Sequence, residues 1–143
     1  MTQEPAVRGI TVGSSASFSK PVTQEDIDAF ADVTGDHNPL HSDPDYAART
    51  RFKQPIAHGM LGAGVISAAL GTKIAPDSVV IYLGQNLQFR APVAAGDTIT
   101  ATVTVKEVDT DRSILKLDTN VLNQEGVEVI RGDATIMVEA PSD

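Results

Sequence analysis

The sequence predicts an α+β fold in which one antiparallel sheet wraps around a central buried helix. From Gly59 to Thr72 no residue is charged, and the segment is apolar or small on every face, which is typical of a buried helix. In Thr98–Val105 apolar residues alternate with threonines, as expected of a half-buried antiparallel strand. Helical segments precede this strand and strands follow it, an order that favours helices packed on an antiparallel sheet.

Length and composition narrow the functional classes. At 143 residues the chain is long enough for one core, and we assign residues 1–143 to one domain with tails at 1–15 and 140–143. The net charge of −8 argues against nucleic-acid and anionic-membrane partners. The absence of cysteine excludes disulfides, a thiol nucleophile and a thiolate metal site, and fits the cytoplasm. The N-terminal tail has no apolar run, so we expect no signal peptide.

Two helices are expected before the apolar stretch. After a strand at Ala16–Lys20, a helix from Gln24 to Thr34 would have Thr23 as its N-cap. Gly35 suits the left-handed position that ends such a helix. A short second helix is expected at Pro44–Arg49, because proline is favoured at the first helical position and an aspartate precedes it.

The apolar helix contains two glycines and one central polar residue. Gly62 and Gly64 each cost about 1 kcal/mol relative to alanine, so we expect the sheet to approach the helix closely at both. The Ser67 hydroxyl is expected to bond the carbonyl four residues earlier. The helix is shorter than the roughly 20 residues that span a bilayer.

The sequence predicts antiparallel strands for the rest of the chain. Strands are expected at Val79–Phe89, Thr98–Val105 and Ser113–Val121, followed by a last strand in which the apolar residues change from odd to even positions. Because Gly132 lies between the two halves, we expect a β-bulge there. A lone curved sheet leaves edges and one face uncovered, and a second copy would cover them. We therefore expect a homodimer.

Chemically capable side chains concentrate in the segment Gly35–His41. Pro39 prevents a continuing helix, because it lacks an N–H and disfavours the α conformation of the preceding residue. We expect a folded-back loop that brings Asp36 and His41 together. A carboxylate and an imidazole at one point can hold a water and move its protons. Taken alone, this spacing favours a capping loop with a surface histidine, because turn signals of this type are common.

Three further stretches carry a family resemblance. They are Asp36-x-Asn38-Pro39-Leu40-His41-x-Asp43-Pro44, Phe52 with Pro55-Ile56-Ala57-His58-Gly59-Met60, and Phe89-Arg90-Ala91-Pro92-Val93 with Gly96-Asp97. Together they resemble the signature of the MaoC-like (R)-specific enoyl-CoA hydratases, over about Phe18 to Val138. The resemblance implies a hot-dog fold, a homodimer, an acyl-thioester substrate, and no metal or cofactor apart from the coenzyme A of the substrate.

The resemblance also implies residue roles. Residues matching Asp36 and His41 are the family's catalytic pair, the backbone N–H at the position of Gly59 meets the thioester oxygen, and a serine matching Ser67 supports the site. Hydrating a 2-enoyl thioester requires an activated water at Cβ, a proton at Cα and a stabilised enolate oxygen. Asp36 suits proton removal from water and His41 suits delivery to Cα, although the two roles are exchangeable because interacting groups titrate as a pair. A glycine N–H at a helix start suits the oxyanion.

Three nearby side chains receive supporting or surface roles. Asn38 is expected to fix the loop, because asparagine readily bonds to neighbouring backbone in turns. His37 is expected on the surface. His58 either supports the catalytic pair or makes local bonds where the helix begins.

Four basic residues follow the motif or end a strand: Arg49, Arg51, Lys53 and Arg90. On an acidic chain such a cluster suits recognition of the phosphates of coenzyme A or of an acyl-carrier protein. The alternative is a solvated surface.

Other activities on the same fold stay open. A 3-hydroxyacyl-[acyl-carrier-protein] dehydratase would use the same residues. A hot-dog thioesterase would place a carboxylate on or beside the central helix, and Gly59–Thr72 contains none. A non-catalytic acyl-thioester sensor would lose the catalytic pair, which is present here.

Overall fold

The chain forms the elements that the sequence predicts, in the same order. The computed structural model describes residues 3–142. Its helices are α1 (Gln24–Thr34), α2 (Pro44–Ala48) and α3 (Gly59–Thr72). Its strands are β1 (Ser15–Pro21), β2 (Val79–Phe89), β3 (Thr98–Asp109), β4 (Ile114–Leu122) and β5 (Glu128–Glu139).

The five strands form one antiparallel sheet in the order β1-β3-β4-β5-β2. Helix α3 packs on its inner face against β1, β2, β3 and β4, which is the hot-dog arrangement. The core is built from this inner face together with α1 and α3. Its largest fully buried members include Ile27, Ile66, Leu70, Ile99, Leu115, Leu117 and Ile136.

Helix α1 is fixed at both ends by the residues expected to cap it. The Thr23 hydroxyl accepts a hydrogen bond from the Asp26 N–H (3.0 Å), and the Asp26 carboxylate accepts one from the Thr23 N–H (3.0 Å). The Thr23 backbone bond, aided by the Lys20 ammonium at 3.1 Å, lowers the pKa of Asp26. At the other end Gly35 takes φ 85°, which glycine adopts easily. This fixed end determines where Asp36 emerges.

One face of α3 remains open, contrary to the expectation of a helix enclosed on every side. Met60, Gly64, Ser67 and Gly71 are exposed along this face, and we call these four residues the open face. A Cβ on Gly62 would lie 2.7 Å from Cδ1 of Ile130, so close approach is confirmed there. At Gly64 the expectation was wrong, because a Cβ there would meet nothing within 4 Å.

The expected serine hydrogen bond within α3 is also absent. The hydroxyl that returns to a carbonyl four residues earlier belongs to Thr72, at 2.7 Å from the Ala68 oxygen. Within residues 3–142 no such bond is formed by Ser67, which points from the open face. Its exposure removes the need for an internal partner.

The bulge in β5 lies three residues before the predicted position. Gly132 pairs regularly with Leu87 and Thr119. The register shifts where Val121 opposes Ile130 and Leu122 opposes Glu128, so Val129 is the extra residue. Consecutive Val129 and Ile130 are therefore both buried, and this produces the change of parity.

Gly132 has a different structural role. A Cβ there would collide with the backbone carbonyl oxygen of Asn86 on β2. Glycine therefore permits a close approach between β5 and the edge strand.

Strand β2 forms one edge of the sheet and exposes large apolar side chains. They are Val79, Ile81, Tyr82, Leu83 and Phe89. Strand β2 also contacts α3. The chain leaves both this edge and the open face of α3 incompletely covered, and we call the two together the uncovered surface. Among residues 3–142 no helix is both long enough and apolar enough to span a membrane.

Candidate active site

The loop after α1 folds back as its proline predicts. Turn hydrogen bonds join the His41 N–H to the Asn38 carbonyl (3.0 Å) and the Asp43 N–H to the Pro39 carbonyl (2.9 Å). As a result Asp36 and His41 come together beside His58. One donor atom from each of the three side chains lies within 4.8 Å of the other two.

The His41 ring is oriented by a backbone carbonyl. Its Nδ1 lies 2.7 Å from the Ile56 oxygen. A carbonyl only accepts hydrogen bonds, so Nδ1 carries the hydrogen and Nε2 of the neutral ring presents a lone pair. The Gln24 amide also donates to the His41 carbonyl at 3.0 Å. The imidazole is thus held with one nitrogen free for proton exchange.

Asp36 is exposed, whereas its main chain is tied to the protein interior. Its carboxylate accepts a hydrogen bond from the Asn38 N–H (3.3 Å), and its backbone oxygen accepts one from Nε2 of His58 (3.0 Å). An exposed carboxylate on a restrained backbone can meet water without losing its position.

Asn38 and His37 lie where the sequence reasoning placed them. The Asn38 side-chain oxygen accepts a hydrogen bond from the Leu40 N–H at 3.0 Å, so this residue fixes the loop. His37 is exposed, with Nε2 3.7 Å from an Asp32 oxygen. It points away from the pair.

His58 is buried at 4% exposure and packs against His41. Its ring lies 3.7 Å from that of His41, stacked at 27°, and 4.7 Å from that of Phe30. It makes no side-chain cap on α3. Of the two roles considered for His58, the local cap at the helix start is therefore wrong.

Gly59 begins α3 between two cavities. The first, of about 460 Å³, is lined by Phe30, Thr34, Asp36, His41, His58, Gly59 and Met60. The second, of about 420 Å³, shares His58, Gly59 and Met60 and continues along Phe52, Phe89 and Ile130. The Phe89 ring lies against Gly59, where a Cβ would come within 2.7 Å of it. A side chain at Gly59 would therefore compete with this ring for the passage between the cavities.

The donor set is poorly arranged for a metal ion. Each imidazole already gives one nitrogen to a backbone carbonyl. Imidazole lone pairs lie in the ring plane, and the two rings are stacked at a centroid distance of 3.7 Å, which keeps these planes apart. A bound metal needs ligands that converge on one centre. The geometry suits proton transfer better.

A family model agrees with this fold and site. The model of the MaoC like domain matches residues 10–126. The chain belongs to the MaoC-like domain family.

Relatives cover nearly the whole chain. The (R)-specific enoyl-CoA hydratase of Rhodospirillum rubrum is 47% identical over 131 residues, which cover 92% of this chain and 90% of that protein. The enzyme of the same name from Aeromonas caviae is 40% identical over 131 residues, covering 92% and 97%. A solved structure described as the (R)-hydratase from A. caviae involved in PHA biosynthesis has a TM-score of 0.86 at 40% identity, covering 94% and 99%.

The basic cluster of this MaoC-like chain is only partly assembled. Arg51 and Arg90 line the same cavity as Gly59. Arg49 instead stacks over the Tyr46 ring at 5.4 Å. Arg49 and Lys53 do not line either cavity beside Gly59. Residues adjacent in sequence are thus divided between the cavity and the outer surface.

Ser67 does not line the cavities of this MaoC-like chain beside Gly59. It lies on the open face of α3, two turns beyond Gly59. A supporting role there depends on what covers the open face.

Sequence reasoning missed several residues that shape the site. Phe30 received no role from the sequence, whereas its ring lies 4.7 Å from that of His58. Gln24 and Ile56 position His41 through an amide and a carbonyl. Every residue has a backbone carbonyl, so the sequence does not show which one contacts His41. Only the motif around Ile56 could have pointed to this part of the chain.

Proposed function

We propose that this chain is an (R)-specific enoyl-CoA hydratase. It adds water to a trans-2-enoyl-CoA to give the (3R)-hydroxyacyl-CoA, and it catalyses the reverse dehydration. The observation that carries the proposal is the convergence of the Asp36 and His41 side chains beside Gly59. The activity of the relatives in R. rubrum and A. caviae supports it.

In the forward reaction one water is held between Asp36 and His41. One member of the pair takes a proton from this water as the oxygen bonds to Cβ. The pair then returns one proton to Cα, so that H and OH are added overall and the pair regains its initial state. The roles of acid and base are exchangeable, because interacting groups titrate together.

The Gly59 N–H stabilises the enolate oxygen that develops during addition. As the first N–H of α3 it has no acceptor within the helix, and the helix dipole adds positive potential there. Removing one such donor typically costs about 2.7–4 kcal/mol of transition-state stabilisation. The reaction needs no cofactor beyond the coenzyme A of the substrate.

Arg51 and Arg90 provide phosphate recognition at the cavity. The Arg51 guanidinium stacks over the Phe52 ring at 5.1 Å, and both arginines line the cavity next to Gly59. A thioester entering here brings its carbonyl to Gly59 while its phosphates stay near the two guanidinium groups.

The active form is a homodimer. The apolar edge of β2 and the open face of α3 are both incompletely covered in one chain. Sheet edges with exposed apolar residues pair readily with a second copy. A dimer would elute near twice the chain mass of 15.0 kDa.

Incubation with crotonyl-CoA tests the activity. We expect loss of the enoyl absorbance without release of free thiol, and a product oxidised by an (R)-specific but not an (S)-specific 3-hydroxyacyl-CoA dehydrogenase. Thiol release would indicate a thioesterase instead, and binding without turnover a sensor. Turnover only of the crotonyl-[acyl-carrier-protein] thioester would indicate the acyl-carrier dehydratase.

A further inference from the structure

We propose that His58 is a positioning residue that sets the geometry between Asp36, His41 and Gly59. The inference rests on the proposed hydratase function for its effect on turnover. His58 itself touches no reacting atom in this assignment.

Three contacts place His58 at the junction of the site. Its Nε2 lies 3.0 Å from the backbone oxygen of Asp36, and its ring stacks on that of His41. It directly precedes Gly59, the first residue of α3. Asp36 and His41 lie in one loop and Gly59 begins α3, and His58 contacts or adjoins all three residues.

The hydrogen-bond pattern fixes the tautomer of His58. The Asp36 carbonyl only accepts, so Nε2 carries the hydrogen and Nδ1 of the neutral ring is a lone pair. Nδ1 is buried and has no hydrogen-bond partner among residues 3–142. A second proton on this nitrogen would likewise have no acceptor.

The unpartnered nitrogen indicates that stability does not explain a histidine here. A buried unsatisfied polar atom typically costs about 1–3 kcal/mol. A phenylalanine would fill similar space between Phe30 and His41 without this penalty. What it would lose is the N–H that holds the Asp36 carbonyl, so this hydrogen bond is the feature that requires histidine.

Among the described residues 3–142, this is the hydrogen bond that ties Asp36 itself to a residue distant in sequence. The other hydrogen bonds of Asp36 are local, from its own N–H to the Thr34 hydroxyl and from the Asn38 N–H to its carboxylate. Without the His58 hydrogen bond, only the end of α1 and local bonds would set the position of Asp36, and its distance from α3 would vary. A misplacement of about 1 Å can lower a rate by about 10²-fold.

Two substitutions separate the hydrogen bond from the ring. His58→Phe keeps the ring and removes the donor, whereas His58→Gln keeps an N–H at a similar reach and removes the ring. With crotonyl-CoA we expect His58→Phe to lower kcat at least ~10-fold with KM within about threefold. We expect His58→Gln to retain kcat within about threefold of the wild type. The matched controls, His37→Phe and His37→Gln, change the exposed histidine and should leave both constants unchanged.

The outcomes are decisive in both directions. A His58→Phe variant with wild-type kcat would overturn the proposal, and so would a His58→Gln variant as impaired as His58→Phe. If the phenylalanine variant does not fold, recovery of kcat in the folded glutamine variant supports the hydrogen bond, and its loss refutes it.

NMR spectroscopy tests the His58 hydrogen bond without any substrate. In ¹⁵N NMR of the unliganded wild type, the buried histidine should show the Nε2–H tautomer, and its assigned signals should vanish in His58→Gln. The Nδ1–H tautomer would overturn the proposal, because Nε2 would then have no hydrogen to donate to the Asp36 carbonyl. Failure of wild-type turnover alone would count against the hydratase assignment and leave the tautomer result valid.

Discussion

The loop around Asp36 and the uncovered surface formed by the open face and β2 are completed in different ways. In the loop, His41, Asn38 and the Asp36 backbone each have partners within the chain. On the uncovered surface, Leu83 is 49% exposed and Met60 is 57% exposed. The polar groups of the first region find their partners within one chain, whereas the apolar side chains of the second region stay exposed in one chain.

This difference separates two kinds of mutation. Changes to the Asp36 and His41 side chains should alter turnover and leave folding largely intact, because polar groups placed for chemistry contribute little to stability. Changes along β2 and the open face, apart from Phe89 and Met60, which line the cavities beside Gly59, should alter stability or association and leave the acid–base chemistry intact.

The largest effect is expected from the catalytic pair. Asp36→Asn keeps the shape of the side chain but cannot act as a base, and His41→Gln cannot cycle a proton near neutral pH. Each should lower kcat with crotonyl-CoA by at least ~10²-fold. Thermal unfolding should move little, and thioester binding should persist because Arg51 and Arg90 are untouched.

The double variant and a matched control sharpen this test. Asp36→Asn combined with His41→Gln should cost little more than the worse single change, because groups that act as a unit are not additive. Asp32→Asn makes the same chemical change at an exposed residue of α1 and should leave kcat unchanged. If Asp36→Asn unfolds the protein while its folded fraction turns over normally, the loop is structural.

The next effect concerns the attachment of the edge strand. Gly132→Ala brings a Cβ against the Asn86 carbonyl, and backbone cannot yield as a flexible side chain can. We expect a loss of about 1–3 kcal/mol in unfolding free energy, as for other overpacked sites. Chemical denaturation measures it, with Gly84→Ala in β2 as the control, because a Cβ there meets nothing within 4 Å. Equal stability of the two variants would show that β2 is free to move away from β5.

A smaller effect is expected on association. Gly64→Leu places its Cβ where nothing lies within 4 Å in one chain, and it improves helix propensity by nearly 1 kcal/mol. If a second copy packs on the open face, the added side chain should weaken the dimer at least ~10-fold, as about 1.4 kcal/mol of overpacking would. Sedimentation over a dilution series checks this, with Ala29→Leu on exposed α1 as the control. An unchanged dimer constant would place the interface elsewhere.

The fold was predictable wherever a local pattern determined the local structure. The N-cap at Thr23, the left-handed Gly35 and the extent of Gly59–Thr72 follow from propensity and periodicity. The bulge was misplaced because the change from odd to even apolar positions shows that the register shifts but not at which residue. We placed the shift at Gly132 because glycine is common at bulges, whereas it lies at Val129. Gly64 was misread because a sequence cannot tell a helix face packed on its own sheet from one left open.

The site was predictable as side chains but not as contacts. The turn at Pro39 and the acid–base character of Asp36 and His41 determine that the two can meet. Which nitrogen of His41 is free depends on the Ile56 carbonyl, and backbone carbonyls are identical in every residue. The tie from His58 to Asp36 spans 22 residues and needed three-dimensional coordinates.

The smallest effect lies at the far end of α1. The pKa of Asp26 is lowered chiefly by the Thr23 N–H and further by Lys20. A carboxyl whose folded pKa is depressed contributes stability fully above its unfolded pKa, and the contribution disappears as pH falls through the folded value. Asp26→Asn should therefore lower the unfolding free energy at pH 7 by about 0.3–1 kcal/mol.

The difference between wild type and Asp26→Asn should shrink as pH falls below the ordinary value of 3.8. Urea unfolding at pH 7, 4 and 3 measures it, with the exposed turn residue Asp111→Asn as the control. Turnover with crotonyl-CoA at neutral pH should stay unchanged, because Gly35 and the His58 tie hold Asp36 in place however the first turn of α1 is capped. A difference in stability that grows on acidification would contradict the charge-based capping. A parallel fall in kcat would show that the catalytic loop depends on the whole of α1 and not only on its C-terminal end.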